Sequence, residues 1–387
     1  MKLDIELLKD AFEIVNKVPR VATFETTQIM EVESKNETLS LRLSGIVVGE
    51  AELPVKENAK DFILYVERRA FSSFLNSIPS KGDLVLTPKS EAMVMKKGRK
   101  VIELQTNTVI SGYESWDFKK AKKVSLSDEA LLRMNDLRDY VSDAPGSAKT
   151  YAIACSKAVG MFATDGLQLC AFLDQDVPDL LVPPLLSKFT SFSNAVIRKD
   201  SSGMGVRVVH GKVKGYLYQS LPSDIEQMYP KEQIEGYLDA GIKEDPTFIL
   251  PIKEFEEVCS NLTQYKGSVQ GEPYAQIEKD STKGIKFTLT LISGEATDYL
   301  KATQEDESQP NYKVFLPLLL LEKWLKVLPE NTDKIYCACL PSALSFYTED
   351  KSTVFISAIV STTETVEENA LSEEDVDVAV DDDDVPF

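Results

Sequence analysis

The chain has few residues of the kinds that most enzyme centres use. Its 387 residues include one histidine, His210, and five cysteines, whose spacings do not form the paired pattern of a metal site. A histidine-clustered metal site is therefore excluded, and Ser-His-Asp or Cys-His catalysis would depend on a single side chain. So few cysteines in a long chain indicate a reducing compartment, and we expect a cytoplasmic protein without disulfides.

Long apolar runs and phosphate-binding loops are also missing. No stretch approaches the roughly 18 uninterrupted apolar residues of a membrane helix, and residues 1–6 are acidic and amphipathic, unlike a signal peptide. The glycines at 203 and 205 are not followed by the later glycine and the lysine of a nucleotide-binding loop. Cys337 and Cys339 have no second pair, so we expect core residues rather than zinc ligands. The sequence predicts no enzymatic activity, no cofactor and no membrane partner.

Charge of one sign is concentrated at the end of the chain. The net charge is −19, and residues 364–387 hold eleven acids and no base. The remaining 51 acids and 43 bases lie in residues 1–360, which excludes a diffuse basic surface for nucleic acid but not a local basic stripe. Residues 361–387 lack a periodic apolar face, so we expect a disordered acidic tail.

A strand followed by an amphipathic helix and then by several strands occurs three times along the chain. The helix pattern ends at Pro79 in the first copy and, about 250 residues later, at Pro329 in the second. The apolar helix positions are Phe71, Phe74, Leu75 and Ile78, then Leu321, Trp324, Leu325 and Leu328, and in a looser third copy Leu186, Phe189 and Phe192. The following strands are predicted at 83–86, 92–95 and 101–104, at 335–339, 343–347 and 353–359, and at 205–209 and 213–218. The matching prolines argue for an internal repeat.

A second kind of unit, a helix followed by strands, precedes each of these copies. It is predicted at 5–18 with 26–48, at 127–141 with 150–173, and at 252–262 with 275–300. The fold class is therefore α+β, with two helix-plus-antiparallel-sheet units in each domain. We predict domains at 1–117, 124–232 and 246–360, polar joins at 112–123 and 231–246, and the tail at 361–387.

Two short stretches carry a resemblance to a known family. Residues 163–169, Ala-Thr-Asp-Gly-Leu-Gln-Leu, resemble the Ala-Thr-Asp-Gly-His-Arg-Leu strand–turn in the middle domain of the bacterial DNA polymerase III β sliding clamps. Residues 97–101, Lys-Gly-Arg-Lys-Val, resemble the Ser-Gly-Arg-Ser-Arg-Phe hairpin late in their first domain. The resemblance spans 1–360 and points to a bacteriophage relative. It implies a three-domain DNA-clamp fold with helices on the inner face, closed into a ring by two copies.

The resemblance implies a processivity factor that encircles double-stranded DNA, is placed there by a clamp loader and tethers a DNA polymerase. Sliding needs attraction to phosphates without base reading, which lysine and arginine on the helices provide. The candidate DNA-binding residues are Lys9, Lys17, Arg20, Arg68, Arg69, Arg133, Arg138, Lys188, Arg198, Lys253, Lys323 and Lys326. Each of them alone also fits a solvated helix face, so only the whole stripe is an argument.

The resemblance further implies an apolar pocket that captures short polymerase peptides between the middle and last domains. The pocket residues would be Thr164, Gly166, Leu167, Leu169, Met228, Val354 and Ile356. Apolar side chains with a few backbone partners suit an aromatic or leucine anchor. Leu169, Val354 and Ile356 fit a hydrophobic core equally well. Leu167 and Gln168 replace the family's His-Arg, so the pocket rim has lost a charge.

The tail tip resembles that of bacterial single-stranded DNA-binding proteins, Asp-Asp-Asp-Ile-Pro-Phe. The matching residues are Asp382, Asp383, Asp384, Val385, Pro386 and Phe387. They predict recruitment of further replication proteins, although a merely solubilising tail has the same composition. Two alternatives stay open: a single-stranded DNA-binding or recombination accessory protein, which needs an aromatic-studded basic groove, and a clamp relative that does not close and acts as an interaction hub.

Overall fold

The computed structural model describes residues 1–20, 25–106, 116–141, 152–187, 195–201, 203–220, 229–280, 283–305 and 313–358. They combine helices with antiparallel sheets, which confirms the α+β class. Two compact units are present, Met1–Asn135 with Val182–Ile225, and Asp136–Leu181 with Glu226–Phe387. Within the described ranges, no helix has the length and apolar character needed to cross a bilayer.

The described helices and strands follow the predicted order closely. The helices are α1 (Ile5–Val15), α2 (Arg68–Ser77), α3 (Asp128–Leu137), α4 (Pro184–Ser187), α5 (Lys231–Lys243), α6 (Ile252–Thr263) and α7 (Leu318–Lys326). The strands of the first half are β1 (Lys2–Asp4), β2 (Ile29–Lys35), β3 (Thr38–Leu43), β4 (Val47–Pro54), β5 (Phe62–Glu67), β6 (Asp83–Pro88), β7 (Ala92–Lys97), β8 (Lys100–Gln105), β9 (Lys122–Val124), β10 (Ile153–Ser156), β11 (Gly160–Thr164), β12 (Gln168–Phe172) and β13 (Leu180–Val182). Those of the second half are β14 (Val196–Lys199), β15 (Gly203–His210), β16 (Val213–Ser220), β17 (Phe248–Pro251), β18 (Tyr274–Asp280), β19 (Gly284–Leu291), β20 (Gly294–Leu300), β21 (Gln304–Glu305), β22 (Lys313–Pro317), β23 (Lys334–Cys339), β24 (Ala343–Tyr347) and β25 (Thr353–Ala358).

The first unit contains a four-stranded sheet, β1-β6-β7-β8, and an eight-stranded sheet, β5-β2-β3-β4-β16-β15-β14-β9. Asp4 caps the start of helix α1, and its Oδ1 accepts the Glu6 N–H at 3.0 Å. Its apolar face packs on β4 and β16. The packing is close, because a Cβ added to Gly215 would lie 2.7 Å from Ile14. Glycine on the sheet therefore sets how near the helix can lie.

The second unit contains a nine-stranded sheet, β13-β10-β11-β12-β25-β24-β23-β17-β21, and a four-stranded sheet, β20-β19-β18-β22. On one face of the larger sheet, Trp324 of α7 packs against Phe346 and Phe355, with ring centroids 6.3 and 5.9 Å away. Neighbouring residues on a strand face opposite sides. The face that carries Ser345 and Ile356 is therefore the other one, and α5 covers it.

Hydrogen bonding repeats the same strand order three times, which confirms the internal repeat. The three sheets of one type are β5-β2-β3-β4, β13-β10-β11-β12 and β22-β18-β19-β20. The three of the other type are β1-β6-β7-β8, β9-β14-β15-β16 and β17-β23-β24-β25. Inside each unit, one sheet of each type is joined into a larger sheet, through β4–β16 in the first unit and β12–β25 in the second. The middle repeat thus contributes strands to both units, and the three-domain boundaries stay a prediction.

The segment predicted as a polar join at 231–246 is helical for most of its length, which the sequence did not predict. It forms α5, a helix of 13 residues. Ile234, Leu238 and Gly241 are buried at positions i, i+4 and i+7. This buried stripe is narrow, and only two of its members are apolar side chains. The apolar periodicity that indicates an amphipathic helix is therefore weak here. The other join, 112–123, overlaps β9, which pairs with β14.

Candidate functional site

Three candidate bases are exposed around the end of α1 and the start of α2. They are Lys17, Arg20 and Arg69. Lys17 lies 3.6 Å from Glu13, one turn earlier on α1, in a solvated ion pair that holds it weakly. Lys9 is more restricted, because its Nζ donates to the Ile78 carbonyl at 2.9 Å. These positions leave Lys17, Arg20 and Arg69 able to approach a phosphate.

Arg68 is a correction to the predicted set. It begins α2, but only 3% of it is exposed. Its guanidinium donates to the carbonyl oxygens of Asn16, Val18 and Thr27 at 2.7, 2.9 and 3.0 Å. Burial, with Arg20 nearby, lowers the pKa of Arg68 to about 10. Arg68 therefore satisfies the backbone after α1 and is not available at the surface.

Arg198 was predicted to lie on or beside a helix, but it lies on a strand and has a structural role. It lies on β14, and its Nη1 donates to the carbonyls of Lys119 and Ala121 at 3.0 and 2.9 Å. The guanidinium lies 5.2 Å from the centre of the Phe118 ring. Arg198 thus holds the segment before β9 against the edge of the sheet.

In the second unit, the structure brings Arg138 and Lys323 to the same carboxylate. Asp139 lies 3.4 Å from Arg138 and 2.8 Å from Lys323. Burial of Asp139 opposes ionisation, but the two bases outweigh it and hold the pKa of its carboxyl below the usual value. Lys253 and Lys326 are exposed, the latter 2.7 Å from Glu322. Arg133 is half-buried on α3, and Lys188 lies outside the described residues.

The strand–turn at 163–169 is built by its own side chains. Asp165 Oδ1 accepts the N–H groups of Leu167 and Gln168 at 2.8 and 2.7 Å. Gly166 has a φ of +98°, which favours glycine, and its N–H donates to Thr164 Oγ1 at 3.0 Å. Burial raises the pKa of Asp165. The turn presents Leu167 at its tip, 42% exposed.

The apolar pocket residues are brought together, but they are covered. Leu169 and Ile356 are direct partners in the β12–β25 register, and Val354 lies two residues away on the same face. All three are fully buried, and so is Thr164. Gly241 of α5 lies so close that an added Cβ would be 2.9 Å from Ile356 Cδ1. Leu169, Val354 and Ile356 thus lie in a hydrophobic core, one of the two interpretations that their sequence pattern allowed, and α5, which the sequence did not predict, lies over Ile356. The peptide pocket stays a prediction.

Met228 and the tail tip, Asp382 to Phe387, lie outside the described residues. The part of the pocket at Met228 and the recruiting tail therefore stay predictions from the sequence. Among described residues, no three His, Cys, Asp or Glu side chains are grouped as metal ligands would be.

Two strand edges complete the description of the surface. Among the described strands, β8 pairs only with β7, and β20 only with β19. β8 is the counterpart of β16 and β25 in the repeat, and β20 is the counterpart of β4 and β12. Val101 on β8 is 56% exposed. Four strands, β4, β16, β12 and β25, join sheets inside the chain. Their counterparts in the repeat, β8 in the first copy and β20 in the last, are not joined to another sheet among the described strands.

No protein-family model matches the chain, and no curated protein matches it. Solved structures do match. The β chain of DNA polymerase III from Streptococcus pneumoniae gives a TM-score of 0.71 at 14% identity, covering 93% of this chain and 99% of that one. The sliding clamp of Bartonella birtlesii bound to griselimycin gives 0.69 at 16%, covering 93% and 99%. The β subunit from Thermotoga maritima gives 0.70 at 13%, covering 93% and 98%. The chain therefore has the multi-domain fold of bacterial β clamps.

Proposed function

We propose that this chain is a DNA sliding clamp, a non-enzymatic processivity factor that encircles double-stranded DNA and tethers a replicative polymerase. The observation that carries the proposal is the threefold strand order with one unjoined edge at each end. A chain that joins its repeats through the same pair of strands can join a second copy in the same way. Two copies would then close into a ring through two β8–β20 junctions.

The register of that junction can be derived from the one inside the second unit. Gly160 and Gly284 both have a left-handed φ and both approach a carbonyl of the next strand, that of Phe172 and that of Leu300. This equates β12 with β20. Ala92 and Ala343 open β7 and β24 and pair with Gln105 and Ala358, which equates β8 with β25. Inside the chain, Ala171 pairs with Val354 and Leu169 pairs with Ile356. The corresponding pairs between two copies are Tyr299 with Val101 and Thr297 with Glu103.

The hydrogen-bonding groups at the two edges are in phase with this register. Thr106 donates to Glu91 across β7–β8, and antiparallel bonds recur at every second pair. The N–H groups of Val101 and Glu103 therefore point away from β7. On β20, the Tyr299 N–H donates to the Asp298 carboxylate instead of to β19. The residues that the register pairs are thus the ones whose backbone groups face outward.

The proposed DNA contacts are the exposed bases on or next to the helices. They are Lys17, Arg20, Arg69, Lys253, Lys323 and Lys326. Their charges attract phosphates without reading bases, as sliding requires. Because the body is acidic overall, this attraction stays local to these bases.

The remaining partners are proposed from the resemblance. A clamp loader opens the ring, a polymerase peptide binds at the Leu167 turn, and the acidic tail recruits other replication proteins through Phe387. We place this activity in the cytoplasm of a bacterial host, with a bacteriophage origin. Because the Bartonella birtlesii clamp is bound to griselimycin, we propose that ligand as the probe of the partner site here.

The test is the solution mass, followed by retention on DNA. The chain is 43.1 kDa, and a closed ring requires twice that by light scattering. A dimer loaded on circular DNA should be retained and should be lost when the circle is cut. A monomer would support the open-clamp hub instead. Binding that prefers single strands and ignores the cut would support the accessory-protein alternative.

A further inference from the structure

We propose that α5 is a displaceable strap over the partner-binding face of the nine-stranded sheet. The inference rests on the proposed function, since the segment that displaces α5 would be an apolar peptide from a replication protein. α5 packs on β24 and β25 and lies directly over Ile356, one of the residues that the sequence assigns to the peptide pocket. The pocket would then exist only when the strap is open.

The strap lies directly on the face concerned. An added Cβ at Gly241 would be 2.8 Å from Ser345 Oγ and 2.9 Å from Ile356 Cδ1, so the helix backbone touches the sheet at this point. Ser345 and Ile356 are direct partners across β24–β25, and Leu169 is the partner of Ile356 on β12. These three residues form one buried row across three strands, and it ends near the exposed Leu167.

The strap is weakly held. Only Ile234, Leu238 and Gly241 of its 13 residues are buried. Gly236 and Gly241 lie inside the helix, where glycine lowers helix stability relative to alanine. A helix of this length is marginal without strong packing. An opening limited to α5 therefore costs less than unfolding the sheet beneath it.

The surface under the strap is also incompletely satisfied. Ser345 Oγ is buried and has no hydrogen-bond partner in the described structure. A buried hydroxyl without a partner is unfavourable. A bound peptide backbone offers both donors and acceptors and can satisfy this hydroxyl, which α5 does not. The row thus holds a hydrogen-bonding group that α5 leaves unused and that an extended segment can use.

Polar contacts at the two ends of α5 fix its position along the sheet but contribute little to holding it there. At the start, Lys231 lies 2.5 Å from Asp179, and Glu235 accepts from Ser156 Oγ at 2.6 Å. At the end, the Tyr347 hydroxyl donates to the Glu244 carbonyl at 3.2 Å. The ion pair is partly exposed and contributes little stability. These contacts re-form readily after an opening.

Thiol labelling of the full chain tests the opening. The variant Ser345→Cys places a thiol under α5, and native Cys337, buried on β23, reports opening of the sheet in the same molecule. We expect the introduced thiol to label at least tenfold faster than Cys337. Adding Gly236→Ala should slow it two- to fivefold, because the added Cβ meets nothing within 4 Å and acts only on helix stability. Equal rates at the two thiols would overturn the strap, and amide exchange of α5 against β24 in the unsubstituted chain repeats the comparison.

A reversible lock tests the docking role. An added Cβ at Gly241 would lie 3.3 Å from Ser345 Cβ, close to disulfide spacing. The oxidised G241C/S345C variant should bind griselimycin at least tenfold more weakly than the same variant after reduction, whereas neither single variant should respond to reduction. Equal binding by both forms, or no binding by either, would overturn the strap as a gate. Ring mass and DNA retention would still decide the clamp function separately.

Discussion

A proline at Glu103 tests the ring junction at a single atom. In the derived register, the Glu103 N–H faces outward from β8 and donates to the Thr297 carbonyl of the other copy. Proline removes that donor and is tolerated on an edge strand, where β7 does not use the same N–H. The matched control is Glu103→Ala, which keeps the N–H. Both variants lose the exposed ion pair to Lys89, 2.7 Å in length, so its loss cancels in the comparison.

The expected magnitude follows from the two junctions in a ring. A buried carbonyl left without its donor costs about 1–3 kcal/mol. Two junctions double this to about 2–6 kcal/mol, which raises the dimer dissociation constant by about 30-fold to 20,000-fold. The alanine variant should change it by less than about threefold, since exposed pairs contribute little.

Sedimentation velocity over a dilution series measures the dissociation constants, and a thermal melt shows that each protomer remains folded. Equal dissociation constants for the proline and alanine variants would refute the register. A wild-type chain that stays at 43.1 kDa would refute the ring itself.

Three further outcomes follow from the structure. Arg68→Met should lower the free energy of unfolding in urea by about 2–4 kcal/mol, because it leaves several buried carbonyls unpaired. Exposed Arg69→Ala should change that free energy by no more than about 0.5 kcal/mol. It should instead reduce the salt slope of DNA binding by about 0.9. Burial raises the folded-state pKa of Asp165, so the contribution of this carboxyl to the free energy of unfolding should decline as pH rises from about 4. Asp165→Asn should remove that part of the pH dependence in urea unfolding, and an unchanged pH profile would contradict the prediction. Gly215→Val should cost about 1–3 kcal/mol by forcing α1 off the sheet, while Gly267→Ala, whose Cβ meets nothing within 4 Å, should be close to neutral in the same melts.

Local pattern was sufficient to predict most elements. The helix around Phe71 and Phe74 and the strands after Pro79 were predicted because apolar periodicity is a property of neighbouring residues. The internal repeat was predictable for the same reason. α5 was not predicted, because its buried stripe has only Ile234 and Leu238 as apolar side chains and two glycines weaken the helix pattern.

Candidate site residues were predicted less well than the fold. Arg68 and Arg69 are adjacent and look equivalent in the sequence, yet one is 3% exposed and the other lies on the surface. The difference is decided by the backbone after α1, whose carbonyls require a donor from another helix. Leu169 and Ile356 carry the pattern of both a pocket and a core, and only the position of α5 separates the two.

The α+β class, the threefold repeat and the acidic end of the chain could be predicted from residue pattern, because each is a property of neighbouring residues or of composition. Which described strands join, through β4–β16 and β12–β25, and which edges stay unjoined, at β8 and β20, became known from the folded chain. Strand pairing at long sequence distance leaves no local signature, since every strand offers the same backbone donors and acceptors. The junction between copies could be derived only after the junctions within the chain were known.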